Sequence, residues 1–230
     1  MSVANNLQLI QQSIAASAAK AGRRPEEIKL IAVSKTRTIE EVQSVIDLGV
    51  NVFGENTLQD AMTKIPVIGT ENNEWHFIGH LQSKKAKSIT AYFDWIHTID
   101  SIRLAEKISS AMLNNNPGKH INCLIQMNVS GEVSKSGITV SELIPFVETL
   151  MKLDLPCIQW RGLMTIGVNN NMEKTRSVFS KLHQCRNQCA EEFSLDNFDQ
   201  LSMGMSGDYQ VAIEEGATMV RLGTSIFGDR

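Results

Sequence analysis

Short apolar runs alternate with helical patterns along nearly the whole chain. Eight runs are predicted as strands, at residues 30–35, 50–53, 75–78, 92–96, 121–127, 157–163, 199–202 and 218–222. Each run but the last precedes a stretch with helical spacing, and strands buried in a parallel sheet have this continuous apolar character. The alternation predicts an α/β fold, a single (β/α)8 TIM barrel. The alternative, a doubly wound open sheet, normally has fewer strands and a glycine-rich turn after the first one, where this chain has SKTRT.

Residues 3–20 come before this alternation and have a helical pattern of their own. Apolar residues recur at helical spacing, at Val3, Leu7, Ile10 and Ile14. Gly22 and Pro25 follow as stop signals. We therefore expect residues 1–25 to form a leading helix packed on the barrel, and residues 1–230 to form one domain.

Composition narrows the classes of partner and compartment. A net charge of -3 gives the chain no general attraction to nucleic acid or to anionic membranes. No apolar run is as long as a membrane span, and the N-terminus lacks the continuous apolar core of a signal peptide. The four cysteines lack zinc-site spacing, which favours reduced thiols and no metal. We expect a cytoplasmic protein.

Lys35 follows the first predicted strand directly. In parallel α/β proteins the chemistry lies at the carboxyl ends of the strands. A partly desolvated lysine loses its proton readily and can attack a carbonyl carbon. From this stretch alone the commoner outcome is an exposed, inert lysine.

Two loops near the C-terminus combine glycines with hydroxyl side chains. They are SMGMSGD at 202–208 and RLGTSIFG at 221–228, after the seventh and eighth predicted strands. Backbone N–H groups and hydroxyls in such loops bind anions, and barrels often bind phosphate between these two loops. With Lys35 as an amine that can capture an aldehyde, the loops predict a pyridoxal 5′-phosphate (PLP) site. Arg221 then faces either the pyridine nitrogen or an acid such as Glu55 inside the barrel.

Two histidines flank the end of the third predicted strand. His76 and His80 are four residues apart, a spacing that invites a metal interpretation. Gly79 is expected to make a turn between them, which would place the two side chains in different surroundings. We predict that His76 lies in the core or behind the site, and that His80 lies at the rim.

Seven segments, in order from residue 32 to the C-terminus, resemble the PLP homeostasis proteins (YggS/PROSC type). They are AVSKT (32–36), FGEN (53–56), WHFIGHLQ (75–82), SKSGI (134–138), RGLM (161–164), LSMGMSGD (201–208) and MVRLGTSIFG (219–228). The resemblance implies a fold-type III barrel, like the N-terminal domain of alanine racemase, in which Lys35 is the Schiff-base lysine. It also implies a phosphate site around Ser206, Gly223 and Thr224, with Asn56 and Arg221 nearby. Met203 is expected as a further cofactor contact, and Met164 and Met205 are expected near the ring, because all three follow predicted strands at their carboxyl ends.

The resemblance also implies a function. Members of this family are regarded as carriers or regulators of PLP that influence vitamin B6 and amino-acid balance, without established turnover. We therefore expect a monomeric PLP-binding protein with no catalytic residues, whose partners are PLP and apoenzymes that accept it. The alternative is a small PLP-dependent amino-acid racemase or lyase. A racemase of this fold needs a second base and a second domain, and neither was found in the sequence.

Overall fold

The computed structural model describes residues 2–168 and 171–228. Eight parallel strands close into a barrel in chain order, which confirms the predicted architecture. The strands are β1 (Lys29–Val33), β2 (Val52–Glu55), β3 (Glu74–Phe77), β4 (Trp95–Ile99), β5 (Ile121–Gln126), β6 (Ile158–Met164), β7 (Gln200–Ser202) and β8 (Met219–Leu222). The helices are α1 (Val3–Lys20), α2 (Ile39–Ile46), α3 (Leu58–Ile68), α4 (Ala86–Ile89), α5 (Ile102–Asn115), α6 (Leu143–Lys152), α7 (Met172–Glu192), α8 (Tyr209–Glu214) and α9 (Thr224–Phe227).

The fourth strand begins three residues later than predicted. The aromatic run at 92–96 starts in the turn before the strand, where the Phe93 N–H donates to the carbonyl of Ile89 at 3.1 Å. The Phe93 ring packs edge-on against Phe77, with 5.4 Å between centroids. The run is therefore apolar because it fills the core beneath α4, and only its last residues enter the sheet.

Side chains alternate between the two faces of the barrel wall. On β1, Ile31 belongs to a small cluster inside the barrel with Trp95 and Leu124. Its neighbour Ala32 belongs to the larger core between the strands and the helices. Continuing this alternation beyond β1 turns Ser34 toward the helices and Lys35 toward the barrel mouth.

The leading helix packs on the outside of the barrel. Leu7, Ile10 and Ile14 of α1 are buried in the core between strands and helices. The side-chain amide of Asn6 donates to the carbonyl of Ile226 in α9 at 2.9 Å. The helix therefore supports the segment after β8, which carries one of the two predicted anion loops.

Candidate functional site

A cavity of about 290 Å³ opens at the carboxyl end of the barrel. Its lining residues are Val33, Lys35, Asn56, Ile78, Met164, Ile166, Met205, Ser206, Gly207, Arg221, Gly223 and Thr224. Six of the seven predicted cofactor contacts are in this set. The strand ends thus bring together an amine, an amide, hydroxyls and a guanidinium that are far apart in sequence.

Met203 is the predicted contact that lies elsewhere. It is fully buried in the core between strands and helices and does not line the cavity. The preceding residue, Ser202, faces the barrel interior and accepts a hydrogen bond from Arg221. Because adjacent strand residues face opposite sides, Met203 is turned toward the helices. Met164 and Met205, also expected near the cofactor, do line the cavity.

Lys35 lies at the cavity edge, two residues beyond the end of β1. Its side chain is exposed, so the expected partial desolvation is absent. The next residue, Thr36, has a left-handed backbone with φ of 62°, which is uncommon for a β-branched residue. Its N–H donates to the Asp60 carboxylate at 2.5 Å. This contact helps to fix the turn that carries Lys35.

A buried ionic group lies behind Lys35, between the barrel wall and α3. This outer cluster consists of Ser34, Glu55, Asp60 and Lys64. The Lys64 ammonium lies 2.7 Å from Glu55 and 3.0 Å from Asp60, and it donates to the Ser34 carbonyl at 2.7 Å. The Ser34 hydroxyl donates to Glu55 at 2.6 Å. Burial raises the pKa of Glu55 to about 7, although hydrogen bonds from Lys64 and Ser34 oppose the shift.

Arg221 is buried and points into the barrel beneath the cavity. Its Nη1 donates to the Ser202 hydroxyl at 2.6 Å, and its Nη2 donates to the Thr165 carbonyl at 3.0 Å. The alternative of an ion pair with Glu55 is wrong, because Glu55 faces α3 and pairs with Lys64. Burial lowers the pKa of Arg221 to about 10, with the nearby Asp208 opposing the shift, so the guanidinium stays charged at neutral pH.

The two late loops are joined to each other at the cavity. The Ser206 hydroxyl accepts a hydrogen bond from the Ser225 N–H at 3.2 Å. Within the first loop, the Asp208 carboxylate accepts from the Met205 N–H at 2.6 Å. A Cβ on Gly223 would lie 3.3 Å from the Val33 carbonyl, so this glycine lets the second loop approach β1 closely. The loops therefore present hydroxyls and glycine backbone to one end of the cavity.

A family model described as alanine racemase, N-terminal domain, matches residues 5–230. A pyridoxal phosphate homeostasis protein of Vibrio alginolyticus is 39% identical to this chain, over 100% of it and 98% of the relative. This chain belongs to the pyridoxal phosphate homeostasis protein family. The resemblance inferred from the seven sequence segments is thereby confirmed.

Solved structures that resemble this family member include one of PipY and one of an alanine racemase. PipY of Synechococcus elongatus, solved with PLP bound, is 29% identical and superimposes with a TM-score of 0.84, covering 98% of this chain and 100% of PipY. An alanine racemase of Corynebacterium glutamicum is 19% identical with a TM-score of 0.68, covering 97% of this chain and 62% of the racemase. The racemase shares the fold, which confirms the expected fold-type III barrel.

The structure of this family member also contains a row of polar residues, four of them buried and the fifth, Glu74, partly exposed, which the sequence indicates only in part. This interior chain consists of Glu74, His76, His97, Ser202 and Arg221, which are linked by hydrogen bonds through the barrel. His76 was predicted to lie in the core or behind the site, and its complete burial confirms this. His80 is exposed at the rim, as predicted. His97 and Ser202 were not singled out, and their only sequence signal is a polar residue at an inward strand position.

A second cavity of about 310 Å³ adjoins the first and shares Asn56, Ile78, Met164 and Ile166 with it. Lys135 lines this second cavity, but its ammonium is already bonded to Glu132 at 2.8 Å and to the Gly167 carbonyl at 2.9 Å. These contacts hold Lys135 at the cavity wall.

Within the described residues, no helix is both long and apolar enough to cross a membrane, and no three His, Cys, Asp or Glu side chains converge as metal ligands would.

Proposed function

We propose that this protein binds PLP in the cavity of about 290 Å³ and serves the intracellular supply of this cofactor. The observation that carries the proposal is the meeting of Lys35, Arg221 and the late loops in one cavity. Its volume is near the lower end of the range for small-molecule sites, roughly 300–1,000 Å³. The PLP bound to PipY and the name of the V. alginolyticus relative support the same assignment.

The chemical groups along the cavity match the two ends of the cofactor. Ser206, Thr224 and the backbone at Gly207 and Gly223 would hold the phosphate, because hydroxyls and N–H groups bind phosphate oxygens strongly. The neutral amine of Lys35 would form a C=N bond with the aldehyde carbon, and the aldehyde oxygen would leave as water. Asn56 and Arg221 would contact the ring from the cavity wall. Met203 is left out of this set because it lies in the core.

We propose that the bound PLP is carried and supplied to apoenzymes by a monomer, with an effect on amino-acid balance and little or no turnover of its own. PLP chemistry on an amino acid needs a base at the substrate carbon. Within residues 2–168 and 171–228, no tyrosine lines the cavity, and Tyr209 is buried in the core. The exposed position of Lys35 also suits a cofactor that enters and leaves.

The binding proposal is tested by borohydride reduction and peptide mapping. Protein incubated with PLP and then reduced should gain one pyridoxyl group on the peptide containing Lys35. Lys35→Ala should gain none, yet should retain weaker, reversible binding through the late loops. Lys84→Ala is the matched control, since this exposed lysine lies outside the cavity and its loss should leave the modification unchanged. A pyridoxyl group on any other lysine in the wild type would contradict the assignment.

The racemase family model favours a second candidate, a PLP-dependent amino-acid racemase or lyase. The carrier and the enzyme differ in the rate at which PLP-loaded protein should convert an amino acid. PLP-loaded protein should racemise alanine or serine far more slowly than about 1 per second, the lower end of ordinary enzyme rates. It should also restore activity to a PLP-dependent apoenzyme at least as fast as an equal concentration of free PLP does. A rate in the ordinary enzyme range would replace the carrier proposal with the enzyme one.

A further inference from the structure

The interior chain connects the two ends of the barrel. Glu74 lies near the amino-terminal mouth and contacts the Nε2 of His76 at 2.5 Å. The Nδ1 of His76 contacts the Nε2 of His97 at 2.8 Å, and the Nδ1 of His97 contacts the Ser202 hydroxyl at 2.8 Å. Ser202 accepts from Arg221 at 2.6 Å, and Arg221 lines the cavity. Four hydrogen bonds thus join a carboxylate at one mouth to a guanidinium at the other.

Arg221 and Glu74, the two ends of the interior chain, determine which group donates in each of its hydrogen bonds. Arg221 can only donate, and an ionised Glu74 can only accept. Burial opposes ionisation of Glu74, but the hydrogen bond from His76 and the nearby Lys29 ammonium outweigh it and hold the pKa of Glu74 below its usual range. Burial lowers the pKa of His76 to about 4 and that of His97 well below its usual range, so both rings are neutral.

With neutral rings, only one arrangement makes all four bonds and leaves Glu74 ionised. Ser202 donates its hydroxyl proton to the Nδ1 of His97, which carries its own proton on Nε2. His97 then donates to His76, and His76 donates to Glu74. All four hydrogen bonds point from the guanidinium to the carboxylate, and aligned bonds of this kind strengthen one another in a dry interior.

The same polarity argues against a path for proton conduction. Transfer along the interior chain would take a proton from Arg221, whose pKa is about 10, and give it to Glu74, whose pKa lies below its usual range. Such a transfer is unfavourable, because Arg221 holds its proton far more tightly than Glu74 does. The bonds are therefore suited to holding groups in place.

Arg221 is the group with the most freedom to lose. Its long side chain could rotate in an open cavity, but Ser202 and Thr165 accept from its two terminal nitrogens and fix the plane of the guanidinium. These two bonds use one N–H group on each nitrogen and leave other N–H groups available to the cavity. A fixed donor of this kind suits an aromatic ring nitrogen that accepts a hydrogen bond.

We propose that the interior chain positions Arg221 as a hydrogen-bond donor to the ring nitrogen of the cofactor, with Ser202 and His97 as positioning residues and Glu74 as the anchor. The inference rests on the proposed function, since it needs PLP in the cavity. It assigns roles to three residues that do not line that cavity. Its consequence is that a change near the opposite mouth of the barrel alters the electronic state of the bound ring.

The test is the resonance of the ring nitrogen in protein loaded with ¹⁵N-labelled PLP, recorded with the absorption band of the bound cofactor. Ser202→Ala removes one of the two acceptors that fix Arg221 and should shift both signals. Ser109→Ala is the matched control, since it removes a buried hydroxyl from α5, outside the barrel, and should leave both at their wild-type positions. Ser202→Thr keeps the hydroxyl and should restore the wild-type resonance.

Glu74→Gln tests the far end of the chain and remains informative if Ser202→Ala fails to fold. This substitution removes the charge at a position that is only part-buried, and it should shift the ring resonance in the same direction as Ser202→Ala but less. Unchanged ring signals in Ser202→Ala, or in Glu74→Gln, would overturn the proposal. Failure of the proposed function gives a different result, because the wild type would then show no PLP band and no borohydride-stable pyridoxyl group.

Discussion

Two polar groups lie next to the cavity, the outer cluster and the interior chain, and a Lys–Glu pair with the same 2.7 Å separation occurs within the first and at the far end of the second. In the outer cluster, Lys64 and Glu55 have side-chain exposures of 1% and 0%. At the lower end of the interior chain, Lys29 and Glu74 are each 34% exposed. Equal distances therefore do not imply equal energies, because desolvation dominates the free energy of the buried pair and solvent screens the exposed one.

The interior chain and the outer cluster also differ in where their ionised side chains lie. The interior chain keeps its ions at the ends and places two neutral imidazoles and a hydroxyl between them. The outer cluster concentrates one ammonium and two carboxylates in one place, and the second oxygen of Glu55 has no hydrogen-bond partner among residues 2–168 and 171–228. An orphaned carboxylate oxygen is costly in a dry site. The outer cluster is thus the part of the site whose stability depends most on a single cation.

The largest effect is expected for Lys64→Met. Removing the ammonium leaves Glu55 and Asp60 without their shared cation and the Ser34 carbonyl without its donor, and breaking a buried pair on one side costs about 3–5 kcal/mol. Urea unfolding at pH 7.5 measures the loss. Lys152→Met is the control, because its pair with Glu148 is exposed and should contribute less than about 1 kcal/mol. Equal effects of the two substitutions would contradict the role given to burial.

The next effect is a change of the free energy of unfolding with pH, and its direction is opposite for Glu55 of the outer cluster and His76 of the interior chain. The pKa of Glu55 is raised from 4.5 to about 7, so folding favours its protonated form and the protein loses stability as pH rises from 4.5 to 7. Glu55→Gln cannot ionise. Its free energy of unfolding relative to wild type should therefore increase over this range, by up to about 3 kcal/mol. Urea unfolding at several pH values measures the difference.

His76→Gln is the matched variant for the interior chain. Burial lowers the pKa of His76 from 6.5 to about 4, so the wild type loses stability as pH falls through this range. The stability of the variant relative to wild type should then increase as pH falls, by up to about 3 kcal/mol. Any packing lost in the variant lowers its free energy of unfolding by the same amount at every pH, so it does not change how the difference from wild type varies with pH. Two slopes of the same sign would refute the assigned charge states.

The sequence predicts the barrel and most of the cavity because their signals are local. Each apolar run of the βα alternation, the strand-end Lys35 and each of the two glycine-hydroxyl loops are recognisable from a short stretch of sequence. Met203 shows how a local rule fails, since a shift of one residue along a strand exchanges the cavity side for the helix side. The same alternation of side chains along a strand turns Glu55 away from Arg221 and toward Lys64.

The two polar groups could be predicted only in part, because their partners are distant in sequence. His97 and Ser202 are 105 residues apart, and neither belongs to a recognisable motif. Lys64 lies on a helix, where a lysine is ordinarily exposed, and only the closed barrel reveals that it is buried against Glu55. Complete burial of a charge is a property of the assembled fold that composition and periodicity do not encode.

The smallest effect is expected for Lys29→Met, the same chemical change as Lys64→Met at the same Lys–Glu distance. Lys29 also lies over the Trp95 ring, 5.2 Å from its centroid. Because the pair is partly exposed, the loss should be at most about 1 kcal/mol, and His76 still donates to Glu74. Urea unfolding of both variants under the same conditions checks the prediction. A loss for Lys29→Met as large as that for Lys64→Met would mean that solvent does not screen the lower end of the interior chain, and that its anchor is as sensitive as the outer cluster.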